Sequence, residues 1–149
     1  MAPIKFASKR SLLWRAFSQV HQGCLDLPVV ARDAQRYETW LKANVKAPAQ
    51  KKPREARIAA EKILAGGTDS RGAARSFSEA VAADPNDADA WLGLSRALLA
   101  TQPDANNGSE RYELPVNGTA AAYIAYLRAG TPQLKAQALV TLADGLKRR

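Results

Sequence analysis

The sequence predicts an all-α protein in which helical hairpins stack as a short right-handed solenoid, preceded by one or two extra N-terminal helices. Apolar residues recur three and four positions apart along most of the 149-residue chain, which is the helical period. Proline and glycine interrupt these stretches at turn-like positions such as Gly66-Gly67, Pro85 and Gly130. No run of about 20 apolar residues exists, so no transmembrane segment is predicted.

Composition divides the chain into four parts. Residues 1–25 form a basic segment that includes a predicted basic helix, Ser8 to Gln22. Residues 26–44 form an amphipathic helix with Val30, Ala34, Tyr37 and Leu41 on one face. Residues 45–53, rich in Lys, Pro and Ala, have the composition of a linker, and residues 54–149 hold the stacked hairpins.

The most regular stretch runs from Ala73 to Leu98. Its first helix places small and aromatic residues on one stripe, which lets a neighbouring helix approach closely. Asp69 or Ser70 can cap that helix, and Asn86 or Asp87 can cap the next one. The predicted packing residues of this hairpin are Ala73, Phe77, Ala80, Pro85, Trp91, Leu94 and Leu98.

The same offsets recur further along the chain. Here Ala120, Ile124, Leu127 and Pro132 take the places of Ala73, Phe77, Ala80 and Pro85. Residues 102–117, rich in Asn, Asp, Gly and Pro, are interpreted as a long inserted loop. Thr131 can cap the following helix, whose predicted packing residues are Leu139, Leu142 and Leu146.

One more helix is expected upstream, and one is expected to lack a partner. Arg54 to Ala65 has a helical pattern and is predicted to pair with the helix that follows Asp69. Gln133 to Leu146 would supply the first helix of a third unit without a second, so its apolar face is expected to favour self-association.

This spacing resembles the tetratricopeptide repeat family, whose repeats combine A-x3-F-x2-A-x4-P with W-x2-L-[GA]-x2-[YL]. The resemblance implies a non-catalytic scaffold in which the first helix of each repeat lines a groove that binds a segment of a partner protein. It implies about two and a half repeats over residues 54–149. The groove residues that it implies are Asp89, Leu92, Arg96, Leu99, Gln137, Val140, Asp144 and Lys147.

Residues 26–149 also resemble, more faintly, the region that precedes the macroglobulin domains of bacterial alpha-2-macroglobulin-like proteins. The similarity covers Asp26 to Asn44, the linker and Arg111 to Pro132. It implies a detached fragment of a protease inhibitor, without the bait region or the thioester motif that trap a protease. Because no signal peptide is recognised, the expected location is the cytoplasm, or the cell envelope if the chain belongs to a larger protein of this kind.

Charge is distributed unevenly, and this suggests an alternative function. Residues 1–75 hold 15 Lys and Arg against 6 Asp and Glu, whereas residues 76–149 hold 7 against 8. Clustered basic residues bind phosphates regardless of sequence. The alternative is therefore a protein that binds nucleic acid or an anionic membrane surface through residues 1–75, although no nucleic-acid motif accompanies the charge.

Catalysis is not predicted. The single histidine, His21, and the single cysteine, Cys24, are too few for a metal site and have no orienting group for a nucleophile. Gly66-Gly67 is interpreted as a helix end, and no phosphate-binding glycine loop appears. The sequence therefore predicts no enzyme, no metal and no cofactor.

Overall fold

A computed structural model describes residues 27–148 of the chain. The regular structure in this part is entirely α-helical, as predicted. The predicted basic segment of residues 1–25, with His21 and Cys24, lies outside the described residues. None of the helices in residues 27–148 combines the length and the hydropathy that a membrane crossing requires. The helices are α1 (residues 27–44), α2 (Pro53–Gly66), α3 (Ser70–Ala83), α4 (Ala88–Ala100), α5 (Glu110–Arg128) and α6 (Pro132–Lys147).

Side chains adjacent to the helices fix where three of them begin. The carboxylate of Asp69 accepts a hydrogen bond from the amide of Gly72 at 2.9 Å and starts α3. Asp87 caps α4 and Thr131 caps α6 in the same way. These are the capping positions expected from the sequence, and each satisfies an amide that the first helical turn leaves without a partner.

Consecutive helices pack as hairpins. α2 packs against α3, α4 packs against both α3 and α5, and α5 packs against α6. α4 also contacts α2 and α6, so these three helices share one side of the stack. The pairing of α2 with α3 is as predicted, and the arrangement is consistent with a solenoid of helical hairpins.

The core contains the packing residues predicted for the first hairpin. Ala73, Phe77, Ala80, Trp91 and Leu94 are at most 1% exposed, and Leu98 is 9% exposed. Pro85 lies in the turn between α3 and α4, where its carbonyl accepts a hydrogen bond from the indole Nε1 of Trp91 at 2.8 Å. This bond satisfies the polar atom of a buried tryptophan.

Close helix contacts in the core depend on small residues. The hydroxyl of Ser95 on α4 donates to the carbonyl of Gly118 on α5 at 2.6 Å. A Cβ atom at Gly93 would lie 2.2 Å from Cε1 of Phe77, and one at Gly145 would lie 2.4 Å from Oγ1 of Thr119. Glycine is therefore required at both positions for α4 to approach α3 and for α6 to approach α5.

Four predicted packing residues of the second register are not fully buried in the core. Ala120, Ile124 and Leu142 are buried, but Leu127 is 61% exposed and Leu139 is 47% exposed. The buried face of α5 is shifted towards Ala121, Ala122 and Ala125, and Leu127 lies to one side of it. Within residues 27–148 no helix follows α6 to cover Leu139. Leu146 is only partly buried, and Pro132 is exposed as the first residue of α6.

The inserted loop is shorter than the sequence indicated. α5 already begins at Glu110, so residues 110–117 are helical and the connection covers residues 101–109. Glu110 is held by Arg71 of α3 and by the amide of Asp104, which donates to its carboxylate at 2.6 Å. These contacts fix the start of a helix that contains Pro115 and that composition alone disfavours.

The connection of residues 45–52 does not separate α1 from the hairpins. Ala34, Tyr37 and Leu41 belong to the same apolar core as residues of α2 to α6. Val30, which is fully buried, forms a second cluster with Ala122 of α5 and Leu142 of α6. α1 is therefore part of the same packed body, and its predicted apolar face is the face that it buries.

Candidate functional site

A shallow groove lies along the side of the stack that α2, α4 and α6 share. At its centre is a cavity of about 280 Å³ between these three helices. Apolar side chains form its floor, and charged or amide side chains stand at its rim. Its lining includes Glu61, Leu64, Phe77, Asp89, Leu92, Arg96 and Gln137.

A second, smaller cavity continues from Arg96 towards the end of α6. It has a volume of about 190 Å³ and is lined by Arg96, Leu99, Thr141, Asp144 and Arg148, with Ala100. The guanidinium of Arg148 pairs with the carboxylate of Asp144 at 3.1 Å. Arg148 also donates to the carbonyl of Leu99, which ties the last turn of α6 to α4.

The structure brings together most of the groove residues that the sequence resemblance implied. Asp89, Arg96, Gln137 and Asp144 are exposed and line the two cavities. Val140 and Lys147 are also exposed on α6, but they line neither of these two cavities.

Leu92 and Leu99 have a different role from the one expected. Leu92 is 2% exposed and Leu99 is 9% exposed, so both belong to the packed interior. They touch the cavities only as parts of their floors. A substitution at Leu92 would therefore disturb the fold before it tested a partner contact.

Sequence reasoning missed the contribution of α2. The guanidinium of Arg57 donates to both carboxylate oxygens of Asp87, at 3.1 and 3.2 Å. It also lies 3.5 Å from carboxylate oxygens of Asp89 and Glu61. Arg54 to Ala65 contains no Trp that would set a repeat register, and the signals it offered were its helical period and the Gly66-Gly67 stop that follows it.

The three carboxylates around Arg57 set the charge at this end of the groove. Burial alone would lower the pKa of Arg57, but Asp87, Asp89 and Glu61 raise it above its ordinary value. The guanidinium therefore stays charged, and one positive charge faces three negative ones. Arg96 stands about 10 Å further along α4 from Asp89, given seven residues of helical rise, so acidic and basic rim positions are separated.

Several basic residues of the N-terminal half are engaged by carboxylates. Arg57 pairs with Asp87, Arg71 with Glu110 and Lys42 with Glu38. The hydrogen bond from Arg71 lowers the pKa of Glu110 below its ordinary value, as does the bond from the Asp104 amide. Part of the excess of basic residues in the N-terminal half therefore forms ion pairs that join helices.

Among the described residues, no group of acidic, Cys or His side chains could hold a metal ion.

Comparisons of the chain with protein-family profiles, with curated protein sequences and with solved structures find no match. The resemblances stated from the sequence therefore remain predictions.

Proposed function

We propose that this protein is a non-catalytic protein–protein interaction module that binds a segment of a partner in the groove between α2, α4 and α6. The observation that carries the proposal is the convergence of Asp89, Leu92, Arg96 and Gln137 on one cavity. These residues come from two helices far apart in sequence.

The chemistry of the groove fits a peptide better than a small metabolite. Its floor is apolar through Leu64, Phe77 and Leu92, and its rim alternates carboxylate, guanidinium and amide groups. An apolar floor supplies burial for a side chain of the partner, and polar rim groups set its orientation. The resemblance to tetratricopeptide repeats supports the same use of this surface.

The proposal is tested by selecting ligands from a phage-displayed library of random peptides against the full chain. Enriched peptides are then synthesised, and their affinity is measured by calorimetry. Arg96→Glu reverses the charge of a rim residue that lines both cavities, and we expect it to weaken binding at least about tenfold. Gln137→Arg, on the opposite side of the cavity, is expected to weaken the same peptides.

The matched control is Arg111→Glu, the same charge reversal at an exposed position of α5 away from the groove. It should leave affinity within about twofold. The melting temperature of each variant is measured to establish that it is folded. Peptides that bind all three variants like the original chain, or a library that yields no enriched peptide, would show that the groove is not the binding site.

A further inference from the structure

The outer face of α1 carries both basic and apolar residues. Val29, Arg32, Arg36 and Trp40 follow one another at intervals of three, four and four, which places them in one row along the helix. Val29 is 38% exposed, Trp40 is 54% exposed, and both arginines are exposed. The opposite face of α1 is the one that packs on the core.

The acidic side chains of α1 are less exposed than this row. Glu38 has a side chain only 17% exposed and is engaged by Arg128 and Lys42. Asp33 has a side chain 12% exposed, and its carboxylate lies 3.6 Å from the guanidinium of Arg32. The exposed row therefore presents two guanidinium groups, of which that of Arg32 is paired with Asp33, together with an indole and a valine.

Trp40 is held in place although much of its ring is exposed. Its ring stacks on that of Tyr37, with centroids 6.4 Å apart and an angle of 8° between the planes. Tyr37 itself is only 8% exposed. Because the indole of Trp40 stacks on the buried ring of Tyr37, it loses little conformational freedom when it enters a new environment. Indoles favour the boundary between water and the lipid acyl chains.

We propose that this row, Val29–Arg32–Arg36–Trp40, is a docking face for the surface of a bilayer that contains anionic phospholipids. Arginine guanidinium groups pair with lipid phosphates and Trp40 enters the headgroup region, as in helices that lie in the plane of an interface. The segment before α1 also carries Lys5, Lys9, Arg10 and Arg15 against one acid, Asp26.

The shape of the face favours lipid over single-stranded nucleic acid. Proteins that bind single strands follow the phosphate backbone in a positively charged groove. The outer face of a single helix is convex, and an aliphatic residue such as Val29 adds nothing to base stacking. A planar anionic surface matches the row better.

The test uses the full chain and vesicles of phosphatidylcholine with about 30% phosphatidylserine, and binding is measured by flotation. We expect binding at low salt and little binding to pure phosphatidylcholine. The double variant Arg32→Glu, Arg36→Glu should weaken binding at least about twentyfold, since each basic residue near such a surface contributes about fivefold. Trp40→Gln should weaken it while leaving the net charge unchanged.

The matched control is Lys62→Glu with Arg111→Glu, which changes the net charge equally at two exposed positions on α2 and α5. It should retain at least about one third of the vesicle affinity. Equal losses in the two double variants would mean that only net charge matters, and this would overturn the proposal. So would a lack of vesicle binding by the original chain, or tighter binding to a single-stranded oligothymidine that Arg32→Glu, Arg36→Glu abolishes. Circular dichroism establishes that each variant is folded.

Discussion

Arg128, at the end of α5, donates two hydrogen bonds to the carboxylate of Glu38 on α1, at 2.8 and 2.9 Å. The same guanidinium donates to the carbonyl of Pro85 at 2.7 Å and lies 5.6 Å above the ring centroid of Trp91. One side chain thus joins α1, the turn between α3 and α4, α4 itself and α5.

A double-mutant cycle of Glu38→Gln and Arg128→Met should give a coupling energy of about 1–2 kcal/mol in urea unfolding. Both side chains are largely withdrawn from water and paired through two bonds, which makes the pair stronger than a surface ion pair. The same cycle at Asp144 and Arg148, whose side chains are about half exposed, should give less than about 0.5 kcal/mol. Equal coupling energies in the two cycles would contradict this view of the Glu38–Arg128 pair.

Gly93→Ala should lower the free energy of unfolding by about 1–3 kcal/mol. The added methyl group would lie 2.2 Å from the ring of Phe77, which is fully buried and has no room to move. Gly66→Ala is the control, since nothing lies within 4 Å of a Cβ atom there. It should be neutral or slightly stabilising in the last position of α2. The measurement is the urea midpoint, and a destabilised Gly66→Ala beside an unaffected Gly93→Ala would refute the packing described for α3 and α4.

Leu142→Ala should cost about 2–3 kcal/mol, whereas Leu139→Ala should cost less than about 1 kcal/mol. The sequence assigned both residues to the same packing face of α6. In the structure Leu142 is 5% exposed beside Val30 and Ala122, and Leu139 is 47% exposed. Chemical unfolding of the two variants, which lose the same atoms, compares the positions directly. Similar losses would mean that a further contact covers Leu139 in solution.

Tyr37 should make the protein less stable at alkaline pH. Burial raises the pKa of Tyr37 well above its ordinary value, so the folded protein keeps the phenolic proton. The unfolded chain loses that proton above about pH 10, binds fewer protons than the folded chain and is favoured as the pH rises. Between about pH 9 and pH 11 the original chain should lose up to about 1.4 kcal/mol more than Tyr37→Phe.

The control for this pH dependence is Tyr112→Phe, since Tyr112 is 77% exposed. That variant should lose stability with pH as the original chain does. Urea midpoints at each pH provide the comparison, and an identical alkaline loss in Tyr37→Phe would rule Tyr37 out as its source.

The elements that local sequence determines were the ones predicted well. Asp69, Asp87 and Thr131 satisfy amides a few residues away, and the stripe of Ala73, Phe77 and Ala80 follows from helical geometry alone. The start of α5 was missed because it depends on a contact with Arg71 of α3, which no local pattern contains.

The position of α1 was missed for a related reason. The spacing of Val30, Ala34, Tyr37 and Leu41 shows that one face is buried, but not which helices bury it. Of the groove residues that the repeat register implied, Asp89, Arg96 and Gln137 lie at the rim of one cavity. Leu92, implied by the same register, lies in the floor of that cavity because it is part of the core.

The cluster of Val30, Ala122 and Leu142 has a consequence for how the protein folds. A simple stack of repeats frays one unit at a time from its ends, because each unit touches only its neighbours. Here the first and last described helices meet, so loosening either of them exposes the other. We therefore expect the hairpins to form early from short-range contacts and α1 to dock on them in a slower step. Because that docking joins the two ends of the stack, we expect unfolding to be a single cooperative transition.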